Sequence, residues 1–151
     1  MSTQNTRMID ISSKKETQRL ATARARININ KDTLTMVRKN KIPKGDVLAV
    51  AQAAGILAAK RTPGLIPLCH PLLLSSISVD FSLPVRNSYI DITATVKGKG
   101  QTGFEMEALT AAAIAALTIY DMCKMFDRGM TITGLRLVKK SGGKSGDYTA
   151  E

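Results

Sequence analysis

A short polar lead gives way at Ala21 to a stretch that alternates without error as far as Asn30. Ala21, Ala23, Ala25, Ile27 and Ile29 fall on one side and Thr22, Arg24, Arg26, Asn28 and Asn30 on the other, the pattern of a strand with one wet face. A short helix over Asp32 to Arg38, capped by Asp32, then runs into the basic loop Lys39 to Gly45. Asp46 caps a second helix. Its apolar positions Val47, Val50, Ala51, Ala54, Leu57 and Ala58 recur at helical spacing, and its many alanines permit a close approach to a neighbour. Pro63, Gly64, Pro67 and Pro71 make Arg61 to Pro71 a rigid irregular loop, because each proline fixes φ and removes a donor. Leu65, Ile66 and Leu68 predict that part of that loop is buried.

Farther on, Ile77, Val79, Phe81 and Leu83 alternate with Ser76, Ser78, Asp80 and Ser82. A turn over Pro84 to Ser88 follows, and Ile90, Ile92, Ala94 and Val96 then alternate with Tyr89, Asp91, Thr93 and Thr95. This is an antiparallel hairpin. A strong helical pattern from Gly103 to about Phe126 is closed by Gly129, and a last strand, Thr131 to Val138, leads into Lys139 to Gly146, too glycine-rich to be regular. Leaving aside the small helix, the order is β-α-β-β-α-β. That order predicts a ferredoxin-like α+β fold, a four-stranded antiparallel sheet covered by helices on one face. The other face, with Arg24, Arg26, Thr93 and Thr95, is expected to meet water or a second subunit. No repeat or second domain is visible, so residues 1–151 are expected to form one domain with a polar lead (1–8) and a mobile Gly/Lys-rich tail (140–151).

Composition narrows the function. With 151 residues, 44% hydrophobic and 23% charged, the chain can bury one sizeable core and is unlike a disordered segment. The longest nearly apolar run, Ala108 to Tyr120, falls short of the ~20 residues of a bilayer span, and Met1 to Arg7 has no apolar signal core. A soluble cytoplasmic protein without a membrane partner is therefore expected. Cys69 and Cys123 are too few for a disulfide framework and read as reduced thiols. The 22 Lys and Arg against 12 Asp and Glu leave a net charge of +10, which calls for anionic partners. A basic ferredoxin-like RNA-binding module is one alternative. Such modules display aromatic residues on sheet strands for base stacking, whereas aromatics here are 4%, with Phe81 on the apolar face of the hairpin and only Tyr89 on the polar one.

Several motifs carry chemistry. Gly98-Lys99-Gly100-Gln101-Thr102-Gly103 is a literal G-x-G-x-x-G between strand and helix. A dinucleotide-binding first strand is buried on both faces, however, while Tyr89 to Val96 has a polar face, and Lys139 and Lys140 end the strand where a ribose-binding acid is wanted. A nicotinamide-dependent oxidoreductase is disfavoured accordingly. The glycines then read as a flexible turn, or as an anion site of free backbone N–H groups beside Lys97 and Lys99. Gly143-Lys144-Ser145 imitates the end of a Walker A loop, but Val138 stands where its first glycine belongs. His70, the single histidine, sits beside Cys69 in the proline-rich loop, where it can be aimed at a ligand; adjacent extended residues point apart, which argues against a Cys-His nucleophilic pair. Glu105 and Glu107 open the long helix, where acids are favoured by the dipole. Asp121 and Lys124, three apart, share a helix face; if partly buried, such a pair would tune an acid/base lysine.

Taken together these residues resemble a family. Lys44-Gly45-Asp46, Ala59 to Thr62 with Leu65 to Pro71, Thr102-Gly103 with Glu105 to Thr110, Leu117 to Lys124, and Lys140 to Gly146 are similar, in the same order, to the cyclic pyranopterin monophosphate synthases of molybdenum-cofactor biosynthesis, the MoaC family. The resemblance implies a lyase that converts (8S)-3′,8-cyclo-7,8-dihydroguanosine 5′-triphosphate to the cyclic pyranopterin monophosphate and releases diphosphate. It also implies a homohexamer, a trimer of dimers, with the site at a subunit interface and with no cofactor, metal or nucleic acid. By motif, Lys44, Lys124 and Asp121 would be catalytic. Leu68, Cys69, His70, Met106 and Glu107 would line the substrate site, with Glu105, Arg19 and Lys140 near it. Two departures stand out: Gln101 occupies a position where many members carry lysine, which implies one weakened phosphate contact, and the leader lacks the threonine-histidine pair that many members have.

Overall fold

The computed structural model describes residues 4–150. Its elements are β1 (Thr17–Asn28), α1 (Lys31–Arg38), α2 (Val47–Lys60), α3 (Thr62–Leu65), β2 (Leu74–Ser82), β3 (Tyr89–Gly100), α4 (Glu105–Cys123), β4 (Thr131–Ser141) and β5 (Tyr148–Thr149). All the strands join one antiparallel sheet in the order β2-β3-β1-β4-β5, so the architecture is α+β. The perfect alternation of β1 explains its central place. Ala21, Ala23, Ala25 and Ile27 are buried, and across the ladder Ala21 faces Val96 and Ile27 faces Ile90, both also buried. Each such branched side chain taken from water stabilises the fold by about 1.5–3 kcal/mol.

α2 and α4 cover this apolar face. Ala108, Ala111, Ala112, Ala115, Ala116 and Ile119 of α4 are fully buried, which makes α4 the core helix although its length and composition alone would allow it to cross a bilayer. Where α2 crosses it, a Cβ on Gly55 would lie 3.0 Å from both the Ala111 carbonyl oxygen and Val79 Cγ2. Small residues set the contact. The buried stripe of α2 is consequently Val47, Ala51, Gly55, Ala58 and Ala59, while Val50 and Leu57 of the expected stripe turn outward.

Other expectations are corrected in detail. The sheet has five strands rather than four, because the tail does not stay irregular: β4 continues through Lys139, Lys140 and Ser141, and Tyr148–Thr149 pairs back onto it. Positive φ at Gly142, Gly143 and Gly146 turns the chain around between them. Asn30, not Asp32, caps α1, accepting a hydrogen bond from the Thr33 amide at 2.8 Å, whereas Asp46 caps α2 as expected. Pro63 starts a helical turn, α3, inside the loop expected to be irregular. The long helix spans Glu105–Cys123, shorter at both ends than its pattern. On the polar sheet face, Arg26 grips Asp91 with two hydrogen bonds (2.6 and 2.9 Å) and stacks 3.5 Å from the centre of the Tyr89 ring. The aromatic that a base would need is therefore already covered.

Candidate active site

The sheet's two-residue period decides what gathers at the start of α4. Arg19 and Lys140 both sit on the helix-facing side of the sheet, since Lys140 lies opposite buried Ala21 and Arg19 is two residues before it. Lys140 Nζ reaches Glu105 Oε1 at 2.5 Å in a largely covered ion pair that ties β4 to the first turn of α4. Arg19 donates to the carbonyls of Gly100 (3.0 Å) and Gln101 (3.3 Å), fixing the turn between β3 and α4. The glycine triplet is thus not a flexible loop: Gly98 and Gly100 lie in the ladder opposite Arg19 and Thr17. Its backbone is largely committed to the sheet and to Arg19 rather than free for an anion.

Beside this framework lies a cavity of about 460 Å³ bounded by Leu68, Cys69, His70, Glu105, Met106 and Glu107, with Ile9, Ile11 and Lys14 of the leader along its rim. Glu107 is buried, and burial pushes its carboxyl above the usual carboxylate range, with the Glu105 charge acting in the same direction. Burial likewise raises the Cys69 thiol, and Glu107 adds to the effect. Cys69 Sγ faces the Thr62 carbonyl at 3.8 Å, so it is a protonated wall of the cavity rather than a thiolate nucleophile. His70 points elsewhere, as adjacent extended residues do: its Nε2 lies 2.6 Å from the Ile9 carbonyl. A carbonyl only accepts, so Nε2 carries a proton there.

A second cavity of about 610 Å³ adjoins the first and is strongly cationic, with Lys14, Lys15, Arg19 and Lys144 around it together with Ser13, Thr17, Gly143 and Ser145. Gly143 lies against the Arg19 guanidinium, and its φ of +86° is one that favours glycine. Thr17 Oγ1 is buried there and has no hydrogen-bond partner among the described residues.

At the opposite end of α4, Asp121 holds two lysines. Lys124 Nζ is 2.9 Å from Asp121 Oδ1 and Lys44 Nζ is 3.3 Å from Oδ2, with a further bond from Lys44 to the Asp121 carbonyl at 3.2 Å. Lys44 is delivered by a turn that needs the next residue to be glycine, since Gly45 has φ +117°. Lys124 first, and Lys44 second, hold the Asp121 carboxyl below its ordinary range, and Asp121 in turn raises Lys124. All three side chains are about half exposed. The desolvated lysine expected from the apolar flanks is therefore not found in a single chain.

Asp121 lies fourteen residues beyond Glu107 on the same helix, about 21 Å along its axis. The eleven sequence-predicted site residues accordingly form two groups, one at each end of α4. Nor do the loop cations converge on one cleft: Lys44 belongs to one end and Lys140 and Lys144 to the other, while Lys139 pairs opposite Thr22 on the outer sheet face.

Comparison with known proteins shows the family to which the chain belongs. The model of the MoaC family matches residues 8–143. Curated relatives include the cyclic pyranopterin monophosphate synthases of Thermoanaerobacter sp. (strain X514), 57% identical over 145 residues (96% of this chain, 92% of the relative), and Heliobacterium modesticaldum (strain ATCC 51547 / Ice1), 55% identical over 145 residues (96% and 91%). That of Roseiflexus sp. (strain RS-1) is 56% identical over 142 residues (94% and 90%). The chain belongs to the MoaC family.

Within this MoaC chain the sequence pattern missed the leader. Ile9, Ile11, Lys14, Lys15 and Thr17 line the cavities, but a polar, aperiodic segment carries no sign of which surface it lies on. Only the structure shows that β1 pairs from Thr17 onward, four residues earlier than its clean alternation, and so carries the lead directly to the glycine turn.

Proposed function

We infer that the chain is a cyclic pyranopterin monophosphate synthase, an enzyme of molybdenum-cofactor biosynthesis whose substrate is a small molecule. It converts (8S)-3′,8-cyclo-7,8-dihydroguanosine 5′-triphosphate to the cyclic pyranopterin monophosphate with release of diphosphate. The heterocycle occupies the cavity of Leu68, Cys69, His70, Met106 and Glu107. The phosphates extend toward Arg19, Lys140 and the cationic cavity, with Glu105 holding Lys140 in place. Rearranging a heterocycle without net redox change requires proton transfers, which lysines and a carboxylate supply, and expelling diphosphate requires cations on the leaving group.

The observation that carries this reading is the division of the site between the two ends of α4. Each half is incomplete. The Lys44, Asp121 and Lys124 end is exposed and lines neither of the two cavities described, and Glu107 of the first lies about 21 Å away along the helix. A second copy that lays its lysine end over the cavity completes both, which supports the homohexamer built as a trimer of dimers. Covering Lys124 would also desolvate its ammonium and so oppose the upward pull of Asp121, the tuning that the lone chain lacks. Lys44 and Lys124 then exchange protons with the substrate while Asp121 orients them. The order β2-β3-β1-β4 with two covering helices fits a ferredoxin-like core to which β5 is an addition, in a single domain acting in the cytoplasm.

The test is to incubate the purified protein with the cyclised triphosphate and follow diphosphate and pterin together. Equimolar release of both is expected. Assembled protein that produces neither overturns the assignment.

A further inference from the structure

Gln101 stands where the family pattern favours lysine, and it borders a further cavity of about 690 Å³ that it shares with Ile9, Ile11 and His70. It occupies the turn between β3 and α4, where its backbone carbonyl accepts from Arg19 Nη2 at 3.3 Å. Its side chain points the other way. Nε2 donates to the carbonyl of Lys14 at 2.9 Å, across 87 residues of sequence. Lys14 is itself set by a local turn, its amide donating to the Ile11 carbonyl at 3.0 Å, and the leader's other end is held by His70 at the Ile9 carbonyl. The leader is therefore a strap fastened at two points over the start of α4.

What the strap carries makes the fastening consequential. Lys14 lines both the heterocycle cavity and the cationic cavity, and Ile9 and Ile11 complete the rim of the first. We propose that Gln101 is a positioning residue for the substrate: by holding the Lys14 carbonyl it fixes the Lys14 cation at the junction where the ring system of an anionic nucleotide ends and its phosphates begin. Arg19 links this to the catalytic frame, since the same guanidinium that clamps Gly100 and Gln101 borders the cationic cavity. In this arrangement the side-chain amide of Gln101 is engaged by the Lys14 carbonyl and acts through Lys14. The chemistry required at residue 101 is a side-chain donor long enough to reach that carbonyl, a requirement that glutamine and lysine both meet.

The inference rests on the proposed substrate site, so its test needs a reading independent of turnover. Gln101→Met keeps the length and removes the donor; Gln101→Lys keeps a donor. For Gln101→Met we expect KM to rise about fivefold, the effect of one neutral hydrogen bond, with kcat changed less than about twofold because the interaction orders substrate rather than the transition state. Hydrogen exchange of the amides from Ile11 to Glu16 should become faster in the same variant, and Gln101→Lys should restore both KM and exchange. Unchanged exchange in Gln101→Met, or a Gln101→Lys as impaired as Gln101→Met, overturns the inference. Exchange decides the question even in a preparation that turns over nothing, an outcome that would instead count against the assignment of activity.

Discussion

Replacing Gly98 with alanine distinguishes a packing glycine from a ligand-binding one. Gly98 is the first glycine of the triplet that imitates a dinucleotide fingerprint, and in the structure a Cβ there would stand 2.7 Å from Phe104 Cζ and 2.8 Å from the Leu73 carbonyl oxygen. Phe104 is buried to 1% exposure and the carbonyl belongs to the backbone, so neither can yield cheaply. Overpacking of this kind costs about 1–3 kcal/mol. The φ of Gly98 is not in the left-handed region, so alanine recovers about 0.4–1 kcal/mol by restricting the unfolded chain. The net loss is about 1–2 kcal/mol, which in a domain of this size lowers Tm by about 2–8 °C. Gly100 supplies the control: its nearest neighbours would be 3.4, 3.5 and 3.6 Å from a new Cβ, ordinary contacts, so Gly100→Ala should shift Tm by no more than about 2 °C. Thermal unfolding of both variants at one protein concentration measures the difference. Because Phe104 immediately precedes α4, Gly98→Ala should also reduce turnover by displacing Glu105 and Glu107. Equal stability of the two variants would refute the packing argument.

Two further outcomes follow from the charges. Burial raises the pKa of Glu107 above its unfolded value, so the folded state holds that proton longer and stability falls as pH climbs from about 4.3, the unfolded value, through the raised one. Glu107→Gln should therefore gain Tm relative to the parent as pH rises above about 4.3; Tm curves that stay parallel above that pH would mean the carboxyl is not desolvated. Lys44→Ala and Lys124→Ala should each lower turnover by about 10²–10⁴-fold with the fold intact, as loss of an acid/base group does, whereas Lys99→Ala should have a modest effect. Similar losses from all three, with circular dichroism unchanged, would mean that bulk charge rather than catalysis had been removed.

Much of the fold was legible because its signals were local. The alternation of Ala21 to Ile29 and of the hairpin set the sheet faces, and the register bears this out in the pairing of Ala21 with Val96. What misled was information held by the partner element. The stripe of α2 passes through Ala51 and Gly55 rather than Val50 and Leu57 because α4 presents alanines that exclude larger neighbours, a fact absent from the α2 sequence. β5 escaped notice because two residues have no period, and the glycines before it look like disorder until their positive φ is seen to form a turn. The motifs named candidate site residues but not their arrangement. Only the length of α4 shows that Lys44, Asp121 and Lys124 cannot meet Cys69, His70 and Glu107 within one chain.

That separation is the central claim, and mixing two inactive variants tests it most directly. Lys44→Ala disables the lysine end and His70→Ala the cavity end. Co-refolded in equal amounts and paired at random, about half the pairs are mixed, and each mixed pair holds one intact site in two, so turnover should return to about a quarter of the wild-type rate. A mixture no more active than its separate parents would place every catalytic group in a single chain and contradict the account.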